Sequence, residues 1–396
     1  MPARLSARQK LYFVLTLVGA VVIVLVGALS QRDDSERPKA KFSTDMSIKQ
    51  VAEDLDVTGK SLARELDLPL DVSKTQPLDA LGVKQGQLDH ATHHLLGHHD
   101  AVLKYYVFSA LALVGLAYLV LLGRPANSSI DERKTWYPRW PYLIALVLAV
   151  VVCGFVLGKS PNPMEGAVKV FKSMVGLYPS VMDKILVFGL FAALAIIGSK
   201  LICGWACPFG ALQELIYSLP ILKKLKQRHV PFAVTNSVRG LLFAVALLAL
   251  FGVVGGKKGF VIYHYVNPFN LFNFDIETVS VGAVIVLSLV ISLGFYRPFC
   301  QFICPFGLLS WLFERGAIFR VRIDHSRCID CGACVRACPL DATKDRLAKK
   351  WFPADCFSCA RCLNCCPTDA IHYEFVGKKR PESAGETTQA ALKTTS

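Results

Sequence analysis

The chain has 396 residues, is 53% hydrophobic and has a mean hydropathy of +0.42. That is too apolar for an ordinary soluble protein of this length and points to bilayer-length runs. The net charge of +14 does not read as a nucleic-acid footprint, because Lys and Arg are spread over short loops between apolar runs. No phosphate loop or dinucleotide fingerprint is present, which argues against a nucleotide-dependent enzyme.

Six apolar runs predict six transmembrane helices, at residues 11–29, 102–122, 142–157, 185–201, 241–256 and 279–295. The first follows Arg4, Arg8 and Lys10 but has no clear small-x-small cleavage site, so residues 1–30 read as an N-terminal anchor rather than a signal peptide. Basic residues alternate between sides. Arg124, Arg133, Lys134 and Arg139 lie between runs two and three, and Lys200, Lys223, Lys224, Lys226, Arg228 and Arg239 between runs four and five. The opposite loops carry fewer, among them Lys159, Lys169, Lys172, Lys257 and Lys258. The positive-inside rule then puts both termini in the cytoplasm of a multi-pass protein of a bacterial inner membrane.

Residues 31–100 are polar and read as a small extracytoplasmic helical segment. Val51, Ala52, Leu55, Val57, Leu62 and Leu66 are echoed by Leu78, Leu81, Val83 and Leu88, which suggests paired helix–turn–helix units. With nine Lys/Arg against thirteen Asp/Glu, the segment suits a protein docking partner and not DNA. It ends in His90, His93, His94, His98 and His99; His90, His94 and His98 share one face if the helix continues, where they would bind metal or simply form a solvated polar face.

Residues 101–320 read as a membrane core with an internal duplication. CGWACPFG from Cys203 and CQFICPFG from Cys300 share C-x₃-C-P at an offset of 97 residues (203 to 300, 207 to 304). Asn162-Pro163 and Asn267-Pro268 precede them. Two runs separate the copies, so both face the cytoplasm and a pseudo-two-fold axis along the membrane normal is expected. Cys203, Cys207, Cys300 and Cys304 then converge on one redox centre, an iron–sulfur cluster or copper, with a redox dithiol as the plainer alternative. Cys153 reads as a buried hydrophobe. Glu165 and His264 lie on the outer side, where a quinol would have to release protons.

Residues 321–375 hold the strongest signal. Cys328, Cys331, Cys334 and Cys338 run C-x₂-C-x₂-C-x₃-C before Pro339, and Cys356, Cys359, Cys362 and Cys366 repeat it before Pro367. This is the spacing of two-cluster bacterial ferredoxins. Three closely spaced thiolates wrap one cubane and the fourth crosses to the other, which assigns Cys328, Cys331, Cys334 and Cys366 to one [4Fe-4S] cluster and Cys356, Cys359, Cys362 and Cys338 to the second. Zinc knuckles need no such doubled run, and disulfides need an oxidising compartment. Cys365 falls outside the pattern, and residues 376–396 read as a disordered tail. The fold class is therefore a polytopic α-helical membrane protein with a C-terminal α+β dicluster ferredoxin-like domain.

The two CxxxCPFG segments followed by the doubled CxxCxxCxxxCP module resemble the NapH/NosR-type membrane polyferredoxins, over roughly residues 140–375. The resemblance implies quinol-linked electron transfer that supports respiratory enzymes outside the membrane, such as nitrate or nitrous-oxide reductases. The chain would be the electron-transfer component of a quinol-linked oxidoreductase. It departs from the NosR type in having no large flavin-binding domain, and from the minimal NapH type in having two runs before the repeat core. The rival reading is a copper or thiol redox factor in the assembly of respiratory enzymes.

Overall fold

The computed structural model describes residues 7–34, 42–55, 59–69, 72–97, 102–122, 140–178, 181–222, 226, 230–256, 259–274, 276 and 278–377. The tail expected at 376–396 lies outside these residues, apart from Val376 and Gly377.

Helix α1 (Ala7–Asp34) runs along α5 (Val102–Leu122), with Phe13 edge-on to Tyr118 at 6.5 Å. Between them, residues 42–97 form a unit with its own apolar core. Its helices are α2 (Ile48–Asp54), α3 (Gly59–Glu65) and α4 (Gln85–Gly97), and Ile48, Val51, Leu62, Leu78 and Leu88 are among its fully buried members. Ser47 starts α2 through a capping box with Gln50. The expected second helix pair is not formed. Residues 72–84 are turns held to α2 by Lys49 N→Lys74 O (2.9 Å) and Leu78 N→Met46 O (3.0 Å), so the echoed leucines fill one shared core.

Among the described residues two helices, Leu103–Leu121 and Phe232–Leu250, are long and apolar enough to cross a membrane; Leu11–Val26, Trp140–Val156 and Val279–Ile291 are shorter apolar helices. The third run is α6 (Trp140–Leu148) continued by a π-helical stretch, Ala149–Val156. After α7 (Pro163–Met174), the fourth run is α8 (Met182–Ile197). The fifth falls earlier than its hydropathy suggests. Helix α11 (Phe232–Leu250) ends because Gly252, Gly255 and Gly256 take positive φ (78°, 87° and 70°), turning the apolar stretch away from the helix. Helix α12 (Val279–Ile291) is the sixth.

Each Cys-x₃-Cys-Pro segment folds as a broken helix pair: α9 (Leu201–Trp205) with α10 (Pro208–Ser218), and α13 (Pro298–Phe302) with α14 (Pro305–Phe313). The duplication is visible in the backbone. Lys200 and Arg297 enter the pairs in the left-handed region (φ 58° and 45°), and Cys207 and Cys304 are N-caps at ψ 117° before Pro at the first helical position.

The C-terminal domain is closed by β1 (Phe319–Ile323) and β2 (Ile371–Phe375), antiparallel with Phe319 opposite Phe375 and Ile323 opposite Ile371. Between the strands lie α15 (Ala333–Ala337), α16 (Ala342–Leu347) and α17 (Arg361–Cys365). The domain is seated on the helical core. Trp205 Nε1 donates to the Ser358 carbonyl (3.1 Å), Ser358 Oγ donates to the Gly198 and Ser199 carbonyls (2.9 Å each), and Tyr373 Oη donates to the Gly198 carbonyl (2.8 Å).

Candidate metal centres

The two C-x₂-C-x₂-C-x₃-C segments fold alike. Gly332 and Ala360 turn the loop at φ 68° and 63°, a one-turn helix carries the third cysteine, and Cys338 and Cys366 leave it in extended conformation. That exit carries each fourth cysteine to the other loop. Cys338, Cys356, Cys359 and Cys362 line one cavity with Phe357, Tyr296 and Arg346. Burial pushes the Cys334 thiol up to about 11, and Cys366, Cys328 and Cys331 act on it as neighbouring charges. Burial likewise raises Cys362, with Cys356, Cys359 and Cys338 beside it. These crowded thiols need a cationic core to stay ionised, which an iron–sulfur cube supplies. The residues present therefore fit the two cubanes.

The second loop is the more enclosed. Its Cys356 amide donates to Glu314 Oε2 (3.2 Å), while Glu314 Oε1 takes Arg346 Nη2 (2.8 Å). The first loop reaches solvent at Cys331, beside Ile329, which is 63% exposed. Cys365, outside the motif, donates to the Cys362 carbonyl (3.5 Å) and lies near Cys334 and Cys366.

Cys203, Cys207, Cys300 and Cys304 are all buried and lie within one another's electrostatic reach. Each thiol receives a donor. Gln213 Nε2 reaches Cys300 Sγ at 3.6 Å and Ser310 serves Cys203, while the amides of Gly210 and Gly307 serve Cys207 and Cys304. Gln213 and Ser310 are themselves 97 positions apart, and each serves the cysteine of the other repeat. Among the described residues no three His, Cys, Asp or Glu side chains converge closely enough for a single metal ion. A cube presents its irons at separate corners, so wider-set thiols suit it better than they suit copper.

Around these cysteines lies a buried ionic lattice. Asp355 takes Lys200 Nζ (2.5 Å) and Arg239 Nη1 (3.0 Å), and Glu214 takes Arg297 Nε (3.0 Å) and Arg361 Nη2 (2.5 Å). Burial alone would raise both carboxyls, but the paired cations outweigh it and hold both below the usual range. These residues were not among the sequence-derived candidates. Their signal was available: Lys200 and Arg297 each precede the first cysteine by three, and Tyr142 and Arg239 sit at the same 97-residue offset.

The outer-side candidates are less converged. Glu165 caps back to Asn162 and pairs with Lys169 (2.8 Å); burial opposes its ionisation, yet Lys169 holds it at about 2, too low for a base near neutrality. His264 Nε2 lies 3.4 Å from Lys172 Nζ, which also donates to Tyr178 Oη (3.3 Å). His90 is exposed on α4; His98 and His99, and the side chains of His93 and His94, lie outside the described residues. Cys153 is buried in the apolar core.

Residues 184–228, which include Cys203 and Cys207, match a 4Fe-4S binding domain, and residues 298–342 match a 4Fe-4S dicluster domain. An uncharacterized protein of Methanocaldococcus jannaschii is 29% identical over 199 residues, covering 49% of this chain and 70% of that one. The regulatory protein NosR of Pseudomonas aeruginosa is 30% identical over 158 residues (38% of this chain, 22% of NosR). The ferredoxin-type protein NapH of Haemophilus influenzae is 26% identical over 152 residues (37% and 49%). The chain thus spans about half of NapH and about a fifth of NosR. No solved structure matches. Fold, cysteine motifs and relatives together define an iron–sulfur electron-transfer protein of the ferredoxin type. Over these residues the chain is similar to the ferredoxin-type NapH and to NosR, in line with the resemblance its cysteine motifs carry.

Proposed function

We propose that this protein is a multi-pass inner-membrane component that passes electrons between the quinone pool and a respiratory reductase system, with both termini cytoplasmic. Cys328, Cys331, Cys334 and Cys366 hold one [4Fe-4S] cluster; Cys356, Cys359, Cys362 and Cys338 hold the second. Cys203, Cys207, Cys300 and Cys304 hold a third iron–sulfur centre. When bound, such clusters supply one-electron redox chemistry; the chain supplies ligands, spacing and exclusion of water. The observation that carries the reading is the cavity lined by Cys338 with Cys356, Cys359 and Cys362, which is the crossed ligand set of a dicluster module. The exposed apolar faces of α11 (Leu241, Leu242, Leu248) and α12 (Val279, Val286, Val290) support insertion in a bilayer. The six spans, the quinol, the reductase and a docking partner for residues 31–100 belong to the same proposal. Copper at the membrane cysteines has less support, because among the described residues no three such side chains converge on a single ion.

Iron and acid-labile sulfide per chain test it. On anaerobically purified protein the expectation is ~12 irons, falling to ~8 when Cys203, Cys207, Cys300 and Cys304 are changed to Ser. About eight in both removes the third centre and raises the copper or thiol reading.

A further inference from the structure

The two cysteine hairpins are tied to each other by the residues that enter them. Arg297, which enters the second hairpin, donates through Nη1 to the Cys203 carbonyl and through Nη2 to the Gly204 carbonyl (3.1 Å) of the first. Lys200, which enters the first, donates to the Gly307 carbonyl (2.8 Å) of the second. Arg239, from α11, donates to the Cys300 carbonyl (3.1 Å). At the position 97 residues before Arg239 stands Tyr142, whose Oη donates to the Gly204 carbonyl (3.2 Å). Both glycines of the CPFG segments are pressed by these guanidinium groups: a Cβ on Gly210 would stand 3.0 Å from Arg297 Nη1, and one on Gly307 would stand 2.9 Å from Arg239 Nη1.

The charges do not balance. Lys200, Arg239 and Arg297 are fully buried beside the four cysteines and pair with Asp355 and with a Glu214 that is shared with Arg361, which itself lines the cavity of the second ferredoxin set. Arg239 Nε has no acceptor. Cations in surplus over carboxylates in a low-dielectric interior are costly unless a further anion lies nearby. Four thiolates around an oxidised four-iron core leave a net charge of about −2. Such an anion offsets the surplus, which a neutral dithiol or a disulfide does not.

We propose that Arg297 and Arg239 are positioning residues for the four-cysteine centre: Arg297 fastens the first hairpin from the second repeat, Arg239 fastens the second from within its own, and their charge offsets the thiolates and raises the centre's reduction potential. This rests on the reading that the site holds an iron–sulfur cluster. Lost cation charge disfavours adding an electron to an anionic group. Lys keeps the charge but cannot reproduce Arg297's forked contacts to two carbonyls and Glu214.

The test is an EPR-monitored redox titration of the full chain in nanodiscs, comparing wild type with Arg297→Met, Arg239→Met and Arg297→Lys, and with Lys349→Met at an exposed position as control. The expected result is a tenfold or larger drop in the reduced fraction of the four-cysteine centre at fixed potential in both Met variants, or about 59 mV for one electron. Arg297→Lys should restore most of it, and the control should not move. Selective loss of that centre's iron in a Met variant, with both ferredoxin spectra intact and rescue by Lys, equally supports the fastening role. Full iron with an unmoved potential overturns the proposal, as does loss of all three spectra in the Met and Lys variants alike, which would mark general scaffolding. A wild type with only about eight irons would instead overturn the underlying assignment, and is recognised before any variant is made.

Discussion

The Arg239 guanidinium lies against Gly307, 2.9 Å from where a Cβ would stand, and the Cys300 carbonyl lies 2.6 Å from the same point. Glycine is there because a cation and a carbonyl already fill the space. In the first repeat the corresponding contacts at Gly210 are 3.0 Å to Arg297 and 3.1 Å to the Cys203 carbonyl, so that site is slightly looser. Gly307→Ala should therefore cost about 1–3 kcal/mol and Gly210→Ala less. Thermal unfolding in detergent, read alongside iron content, checks the ranking; equal and negligible effects would show that the guanidinium groups move aside freely.

Asp355 is the residue whose loss should hurt most. It is 1% exposed and neutralises both Lys200 and Arg239. Removing a buried carboxylate from two cations typically costs about 3–5 kcal/mol. Asp355→Ala should lower the unfolding midpoint sharply. The double variant Asp355→Ala with Lys200→Met should recover part of the loss, since one stranded charge is gone. A double variant no better than the single would mean that Lys200 finds another counterion.

The elements that sequence resolved and those it did not differ for a physical reason. The doubled cysteine motif was fully legible because cluster ligation demands residues at fixed local spacing. The second apolar run was legible to the residue, 102–122, because hydropathy and helix coincide there. The fifth was displaced because three glycines at positive φ end α11 inside an apolar stretch, and hydropathy does not read backbone conformation. The pairing of Lys200 and Arg239 with Asp355 was hidden altogether. Those partners are 155 and 116 positions apart, and each cation looked like a loop charge that sets topology.

The crossing of the fourth cysteines separates two variants that look alike on paper. Cys338 follows the first motif but lines the cavity of the second. Cys338→Ser should therefore perturb the cluster of Cys356, Cys359 and Cys362, and Cys366→Ser the other, more exposed one. Mössbauer or EPR spectra of each variant, compared with Cys331→Ser and Cys359→Ser, decide this. If Cys338→Ser resembles Cys331→Ser, the ligand sets are local rather than crossed. Cys365→Ala should leave the iron count unchanged, because its thiol donates to the Cys362 carbonyl and is outside both ligand sets.

Gly204 decides whether the ferredoxin domain is docked or tethered. The Phe357 carbonyl occupies the place of its missing side chain. That carbonyl cannot swing away, because Ser358 next to it is fixed by Gly198, Ser199 and Trp205. The opposing group is backbone rather than the end of a flexible side chain, so Gly204→Ala should push the domain off its seat. Gly189 in α8 has nothing within 4 Å of a built Cβ, so Gly189→Ala should be neutral or stabilise by up to ~1 kcal/mol. Limited proteolysis of membranes, followed by release of a C-terminal fragment, separates the two. Rapid release from Gly204→Ala alone is the expected result. Equal protection of both variants would mean that the close approach at Phe357 does not hold the domain, and that Asp355 and Arg361 suffice to seat it.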